Sequence, residues 1–356
     1  MTAIQTDCFV PPGPVCLEGQ SSIVPIGDYG LLVGAQRQLL LLNAEARREA
    51  ELGQLDLPSA FFNPVEPKWP TVPSLSRGVV AQQRTVRMFE RTVTVQYPPS
   101  PDIEEALLPW QACSEETAGL AGTCDLTIEH FHSGYLGKRK DGAVEALPGW
   151  TDLTIWISRE ISSLIHDNFN WFATLHAGGV LYDGSLIAFP GFSHSGKSTL
   201  MTSLCMAGHP YFAEDCLPLL DATLQAAAFL LAIKLREPSW PLFRDRLTGF
   251  DQLPEGNEAG VPVKFWQPPA HNIRRSPIKA IVFPHYERDA APEWKKLSLI
   301  ETVVEILGSE SSPVESTPES WRKLIGGLET IPAFEIRYGS IEDSHHLVEM
   351  VARESK

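Results

Sequence analysis

Gly191-Phe192-Ser193-His194-Ser195-Gly196-Lys197-Ser198-Thr199 places two glycines five positions apart and follows the second with lysine and a hydroxyl residue. That spacing matches in full the glycine-rich loop that cradles nucleotide phosphates. Glycine at both positions lets the backbone aim successive N–H groups inward, making a nest for phosphate oxygens. A helix starting at the lysine adds the partial positive charge of its N-terminus. Lys197 is then a point charge for the β- and γ-phosphates, and the Ser198 hydroxyl is a magnesium ligand. The pattern thus assigns Gly191, Phe192, Ser193, His194, Ser195, Gly196, Lys197, Ser198 and Thr199 to binding ATP, with Mg2+ as its companion ion. The competing reading is a glycine-rich turn before a helix, with no ligand.

Context separates the two, because a phosphate loop follows a strand and opens a helix. Ser185-Leu186-Ile187-Ala188-Phe189 is a buried-strand run leading into Pro190. Residues 199–206 carry apolar side chains at helical spacing, and Gly208 stands where a helix ends in a left-handed glycine. Upstream, Val180-Leu181-Tyr182 and Ser185-Leu186-Ile187 flank Asp183-Gly184, a two-residue hairpin turn. Tyr182 then faces Ser185, and by the same count His176 faces Gly191. If pairing persists that far the imidazole stands at the mouth of the loop; a histidine that merely caps a strand end fits equally.

Downstream, residues 210–213 form a short strand candidate closed by Glu214-Asp215. A parallel strand beside the loop's own strand ends at the sheet edge where α/β sheets bind ligands. One carboxylate there can hold magnesium, directly or through water, and its neighbour can accept a proton from an attacking hydroxyl. Solvated turn residues are the alternative.

The whole chain sets limits. Its 356 residues suffice for two domains or one large domain with an extension. A net charge of −15 argues against sequence-independent nucleic-acid binding, so nucleic acid is excluded as a partner and any phosphate site must be built locally. No apolar run reaches eighteen residues, which predicts no membrane association. Residues 1–20 lack both the basic and the apolar parts of a signal peptide. Cys8, Cys16, Cys113, Cys124, Cys205 and Cys216 are scattered without a CxxC pair, which fits a reducing cytoplasm better than a disulfide framework or a zinc site.

Along the chain, prolines cluster at 11–14 and 58–73, and 31–55 reads as a strand running into a short helix. Alternation at 85–97 predicts a strand pair, 102–112 a helix, 124–131 a strand and 136–147 a hairpin around Asp141-Gly142. These form a small α+β N-terminal domain, residues 1–149, and the second domain, 150–356, opens with a helix within 153–173. Residues 309–317 read as a mobile loop between helices, and His345-His346 as surface residues. Trp240, Trp266 and Trp294 read as packing residues.

The second domain resembles the HPr kinase/phosphorylase superfamily, especially its divergent HPr-kinase-related members. The resemblance rests on Leu175-His176-Ala177-Gly178-Gly179-Val180, on the loop 191–199, and on Ala207-Gly208-His209 through Ala213-Glu214-Asp215. Residues 231–241, 277–284 and 336–339 are similar too, so it covers roughly 150–350. It implies an α/β fold, a P-loop kinase core of the HPr kinase/PEP carboxykinase type, preceded by the small α+β domain. It also implies Glu214 as general base, Asp215 as the magnesium-side acid beside Ser198, His176 near the transferred phosphate, and catalytic Lys197. Lys234 or Arg236, on a strand spanning 226–235, would help neutralise phosphate or simply end a strand. The family's kinases carry two aspartates where this chain has Glu214-Asp215, and His194 adds a titratable group to the loop. The Gly-rich signature that shapes HPr docking is missing, which argues against HPr itself as the acceptor. Relatives assemble as homo-oligomers.

The expectation is an ATP- and magnesium-dependent kinase acting on a Ser/Thr hydroxyl of a protein or peptide substrate. A small-molecule kinase on the same core and a non-catalytic ATP-dependent binding switch are the alternatives.

Overall fold

The computed structural model describes residues 23–33, 39–42, 47–48, 82–88, 91–117, 124–132, 134–165, 171–192, 195–258, 261–269, 271–309 and 311–355. Within them the chain is mixed α/β and forms four sheets. Strands β1 (Ile23–Ile26), β2 (Tyr29–Val33) and β3 (Leu39–Leu42) make a small antiparallel sheet. The helix expected after β3 is described only at 47–48, and the proline clusters at 11–14 and 58–73 lie outside the described residues.

The next sheet contains β4 (Gln82–Met88), β5 (Arg91–Tyr97), β6 (Ser114–Thr117), β7 (Leu126–Phe131), β8 (Gly134–Arg139) and β9 (Val144–Leu147), ordered β6-β4-β5-β7-β8-β9. Alternation on β5 buries Val93, Val95 and Tyr97 on one face, as period-2 patterning requires. Helix α1 (Pro101–Ala106) is shorter than 102–112; a 3-10 turn over Leu108–Cys113 takes its place, since Pro109 cannot continue the α-helical bonding. Helix α2 (Trp150–Ile165) then packs its apolar stripe, Leu153, Trp156, Ile157 and Ile161, onto this sheet. Trp156 lies flat over Gly137, where a β-carbon would collide with the indole. Glu160, on the buried stripe, accepts two hydrogen bonds from Arg139 at 2.6 and 2.8 Å and one from Arg159 at 2.8 Å. Burial pushes its pKa up, but the two guanidinium groups outweigh it and hold the carboxyl below its usual range. The helix that opens the second half thus serves the first sheet, and one hydrophobic core runs on from there.

The largest sheet takes β10 (Ala173–Leu175), β11 (Ala177–Tyr182), β12 (Ser185–Pro190), β13 (Tyr211–Ala213), β14 (Leu217–Leu219) and β15 (Gln225–Ala227). Strands β16 (Ile233–Arg236), β17 (Glu255–Glu258) and β18 (Val261–Trp266) form a separate three-stranded sheet. The large sheet then gains β19 (Arg275–Tyr286), β20 (Glu293–Lys296), β21 (Ser312–Pro313) and β22 (Ala333–Tyr338). Its centre is parallel: β12 pairs β19, and β19 pairs β22. Leu186 to Pro190 are all buried, the continuous apolar run of a strand covered on both faces. Helix α3 (Lys197–Met206) packs against α6 (Ile341–Glu354), and α4 (Leu299–Gly308) against α5 (Pro318–Glu329).

Three expectations change. β13 does not lie beside β12; β11 stands between them, antiparallel to both, so β13 still runs the same way as β12. Residues 226–235 are not one strand, because the chain leaves the large sheet after β15 and enters the small one at β16; Ala228 N–H bonds Arg274 C=O and Ala232 N–H bonds Pro109 C=O in between. The expected mobile loop, 309–317, is pinned at its described residues: Ser309 and Ser311 are buried and 2.9 Å apart, and β21 pairs with β10.

Because α2 sits in contact with a glycine, Gly137→Val should force the helix off the sheet and cost about 1–3 kcal/mol or more. A thermal melt of the variant that matches the parent chain would contradict this packing.

Candidate functional site

Asp183 and Gly184 both have positive φ, 48° and 76°, the backbone of a two-residue hairpin turn matched to strand twist. The ladder it starts runs from Tyr182↔Ser185 to Ala177↔Pro190, so His176 stands one residue beyond the last pair, level with Gly191. On the other side of β11, Gly179 pairs with Ala213, which delivers Glu214 and Asp215 to the same edge.

The two carboxylates part there. Asp215 has φ +57°, and Cys216 N–H bonds Glu214 C=O at 2.7 Å, closing a three-residue turn around a left-handed non-glycine residue. Glu214 turns inward and is 1% exposed, while the Asp215 side chain keeps 29% of its surface open. Glu214 Oε1 accepts the Ser198 hydroxyl at 2.6 Å, and its Oε2 is buried with no partner among the described residues. Gly178 makes room for it: a β-carbon there would stand 3.3 Å from Oε2 and collide with Met201. Asp215 gathers basic side chains, with Lys197 Nζ at 3.1 Å and His176 Nε2 at 3.7 Å from Oδ1, and Lys234 Nζ at 3.1 Å from Oδ2.

The described residues of the loop, 191–192 and 195–196, are held by their neighbours. A β-carbon on Gly191 would lie 2.7 Å from Ser195 Oγ, and Gly196, with φ +91°, caps α3 where a β-carbon would meet Tyr338 Oη at 2.8 Å. Tyr286 N–H bonds Ser195 C=O at 3.1 Å, and Ser195 Oγ is buried with no partner among the described residues. Phe192 is half-exposed and its ring tip rests on Gly308 at the end of α4. Lys197 and Ser198 occupy the first turn of α3, with Thr199 half-buried beside them. The helix closes at Gly208, φ +97°, with His209 N–H on Leu204 C=O and Gly208 N–H on Cys205 C=O, a Schellman motif. Ser193 and His194 lie outside the described residues.

Electrostatics divide the acid pair. Burial, then the charge of Asp215, push the Glu214 pKa up to about 7 against the opposing pull of Lys197 and Ser198. Burial also raises Asp215, but Lys197, Lys234 and His176 together outweigh it and hold that carboxyl well below its ordinary range. One group stays ionised while its neighbour can carry a proton near neutrality, the division that acid–base chemistry uses. Ser198 and the two carboxylates are hard oxygen donors suited to Mg2+, which is bound through one or two carboxylates with other ligands from phosphate and water. Among the described residues no three His, Cys, Asp or Glu side chains converge on one point.

The structure therefore brings Lys197, Ser198, Glu214, Asp215 and His176 together, and adds Lys234 from β16. The sequence pattern alone did not single out the supports, Tyr286, Tyr338 and Ser311, which accepts the His176 backbone N–H at 2.8 Å. No local periodicity marks them, because each comes from more than eighty positions away. His345 is not on the surface but half-buried, 2.9 Å from Ser203 Oγ on α3; His346 is exposed. A cavity of about 400 Å³ lined by Lys296, Thr302, Ala333 and Ser355 lies at the far end of β22, away from the loop.

No family model and no curated protein matches the chain. A structural comparison aligns it with the solved HPr(Ser) kinase/phosphatase from Coxiella burnetii at 13% identity and a TM-score of 0.25, over 51% of this chain and 94% of that one.

A raised carboxyl pKa means that folding favours the protonated form, so the contribution of Glu214 is favourable at low pH and is lost as pH rises through about 7. Glu214→Gln, neutral at every pH, should therefore raise the melting temperature more at pH 8 than at pH 5. An equal change at both pH values would mean that the buried carboxylate carries no such strain.

Proposed function

We propose that this chain is a magnesium-dependent kinase that transfers the γ-phosphoryl group of ATP to a hydroxyl. The observation that carries this reading is the divided acid pair beside a buried lysine and serine at a helix N-terminus. The site fits the nucleotide it would hold: side chains on Gly191 or Gly196 would collide with Ser195 or with Tyr338 and Tyr286 and distort the loop, and Ser195 Oγ is a buried polar atom with no partner among the described residues. The backbone N–H groups at the start of α3 and the Lys197 ammonium would hold phosphate oxygens, and Ser198 with Asp215 would hold Mg2+. Bound there, the ion supplies charge neutralisation and a template for the phosphates.

The chain's own groups do the rest. Glu214, whose Oε1 accepts the Ser198 hydroxyl at 2.6 Å, is the carboxylate to take the proton of an acceptor hydroxyl. Its raised pKa matches that task near neutral pH, since a base works best when its pKa is near the ambient one. Lys197 and Lys234, now gathered on Asp215, are the cations that would offset charge on a phosphoryl group, with the His176 imidazole beside them. Positioning and charge are most of what phosphoryl transfer requires. His176 and Asp215 are partly open to solvent, which leaves the cluster reachable by a serine or threonine on a protein or peptide, the acceptor class the sequence resemblance favours.

Titration calorimetry with ATP, with and without Mg2+, is the test. Binding should need Mg2+ and should vanish in Lys197→Ala. Glu214→Gln should still bind ATP while phosphoryl transfer to a Ser/Thr peptide library, followed by radiolabel, falls by about 100-fold or more. Absence of ATP binding to the parent chain would overturn the proposal, and full transfer by Glu214→Gln would remove Glu214 as the base.

A further inference from the structure

The acid pair and the loop stand at the carboxyl edge of the sheet, and the strand order gives that edge a direction. Reading across, β13, β11, β12, β19 and β22 follow one another, with the loop on β12. Glu214 and Asp215 extend from β13, two strand spacings or about 10 Å to one side of β12. A nucleotide whose reacting end faces those carboxylates must leave the loop on the opposite side, over the ends of β19 and β22. Ligands in open α/β sheets occupy that crevice beyond the strand ends.

The last residues of both strands are tyrosines, set at the same level by the parallel pairing Tyr286↔Tyr338. Tyr338 is buried, with its hydroxyl against Gly196 and no hydrogen-bond partner among the described residues. Tyr286 is different. Its backbone is fixed to the loop through Ser195 C=O, and its Cβ abuts Gly196, yet its ring is 49% exposed. The two rings lie 6.0 Å apart at 57°, so Tyr338 packs beside Tyr286 while about half of the Tyr286 surface stays exposed. The turns behind them are locked together: Glu287 N–H bonds Tyr338 C=O at 3.1 Å, and a β-carbon on Gly339 would strike Asp289 and Ala290. An aromatic face that is solvent-exposed but rigidly mounted next to a candidate phosphate cradle is a preorganised stacking surface.

We infer that Tyr286 is the platform for the nucleobase of the bound nucleotide, with Tyr338 as the positioning residue behind it. This subsite rests on the kinase reading above and adds to it a residue that no glycine-lysine-serine pattern points to. Stacking on an exposed ring is tolerant of base identity, so the platform supplies affinity for a nucleoside triphosphate over a base-free triphosphate.

The test compares ATP with ribose 5-triphosphate, which lacks only the base, by titration calorimetry in Mg2+. The parent chain should bind ATP about tenfold or more tightly than ribose 5-triphosphate. Tyr286→Ala keeps the Cβ against Gly196 and the N–H on Ser195, and should lower ATP affinity to that of the base-free ligand without changing the latter. Tyr286→Phe should behave as the parent. Equal affinity of the parent for both ligands, or unchanged ATP affinity in Tyr286→Ala, would overturn the platform while leaving the phosphate cradle intact. Equal weakening of both ligands in Tyr286→Ala would also overturn it, since the variant would then have damaged the loop. Failure of the parent to bind either ligand would overturn the cradle and the platform together.

Discussion

The antiparallel ladder between β11 and β12 is the constraint on which the candidate site depends. Side chains alternate with a period of two along a strand, so a one-residue slip would exchange the faces of the whole hairpin. The Asp183-Gly184 turn excludes that slip by holding Tyr182 against Ser185. With the register set, the end of β12 launches the loop, the start of β11 brings His176 level with it, and the outer edge of β11 takes β13 and its acid pair. Gly178 and Gly179 let the neighbours close in: β-carbons there would strike Met201 and Leu186.

Charge at the site runs against the chain as a whole. The protein carries a net charge of −15, yet Lys197, Lys234 and His176 converge on a single carboxylate. Asp215 holds these cations in place and stays ionised because of them. Glu214, one residue away, has only a hydroxyl bond and a distant share of those charges, so burial dominates. Two adjacent acids thus acquire opposite tendencies from a single left-handed turn at Asp215, φ +57°, a conformation that aspartate adopts more readily than most residues.

The loop is clamped between distant segments. Tyr286 and Tyr338 support Gly196 from the ends of β19 and β22, and Gly308 meets Phe192 from the end of α4. Ser311 fixes the backbone of His176. Contacts this far apart in sequence form only when the parallel sheet is complete, so the site and the sheet are one structural event.

The sequence by itself determined the local pieces around the loop: the buried run of β12, the two-residue turn, the Schellman end of α3 at Gly208 and the level of His176. Each follows from interactions within a few residues or from a register that a short turn dictates. It also located the acid pair, though it set β13 against β12 when β11 lies between them. Only the tertiary structure decided that 226–235 breaks into two strands in different sheets, that Ser311 binds the backbone of His176, and that Lys234 reaches Asp215. The same holds for the divergent pKa values of Glu214 and Asp215, which depend on how deeply each carboxyl is buried and on which cations approach it. Burial and long-range charge are properties of the packed sheet, and no window of adjacent residues encodes them.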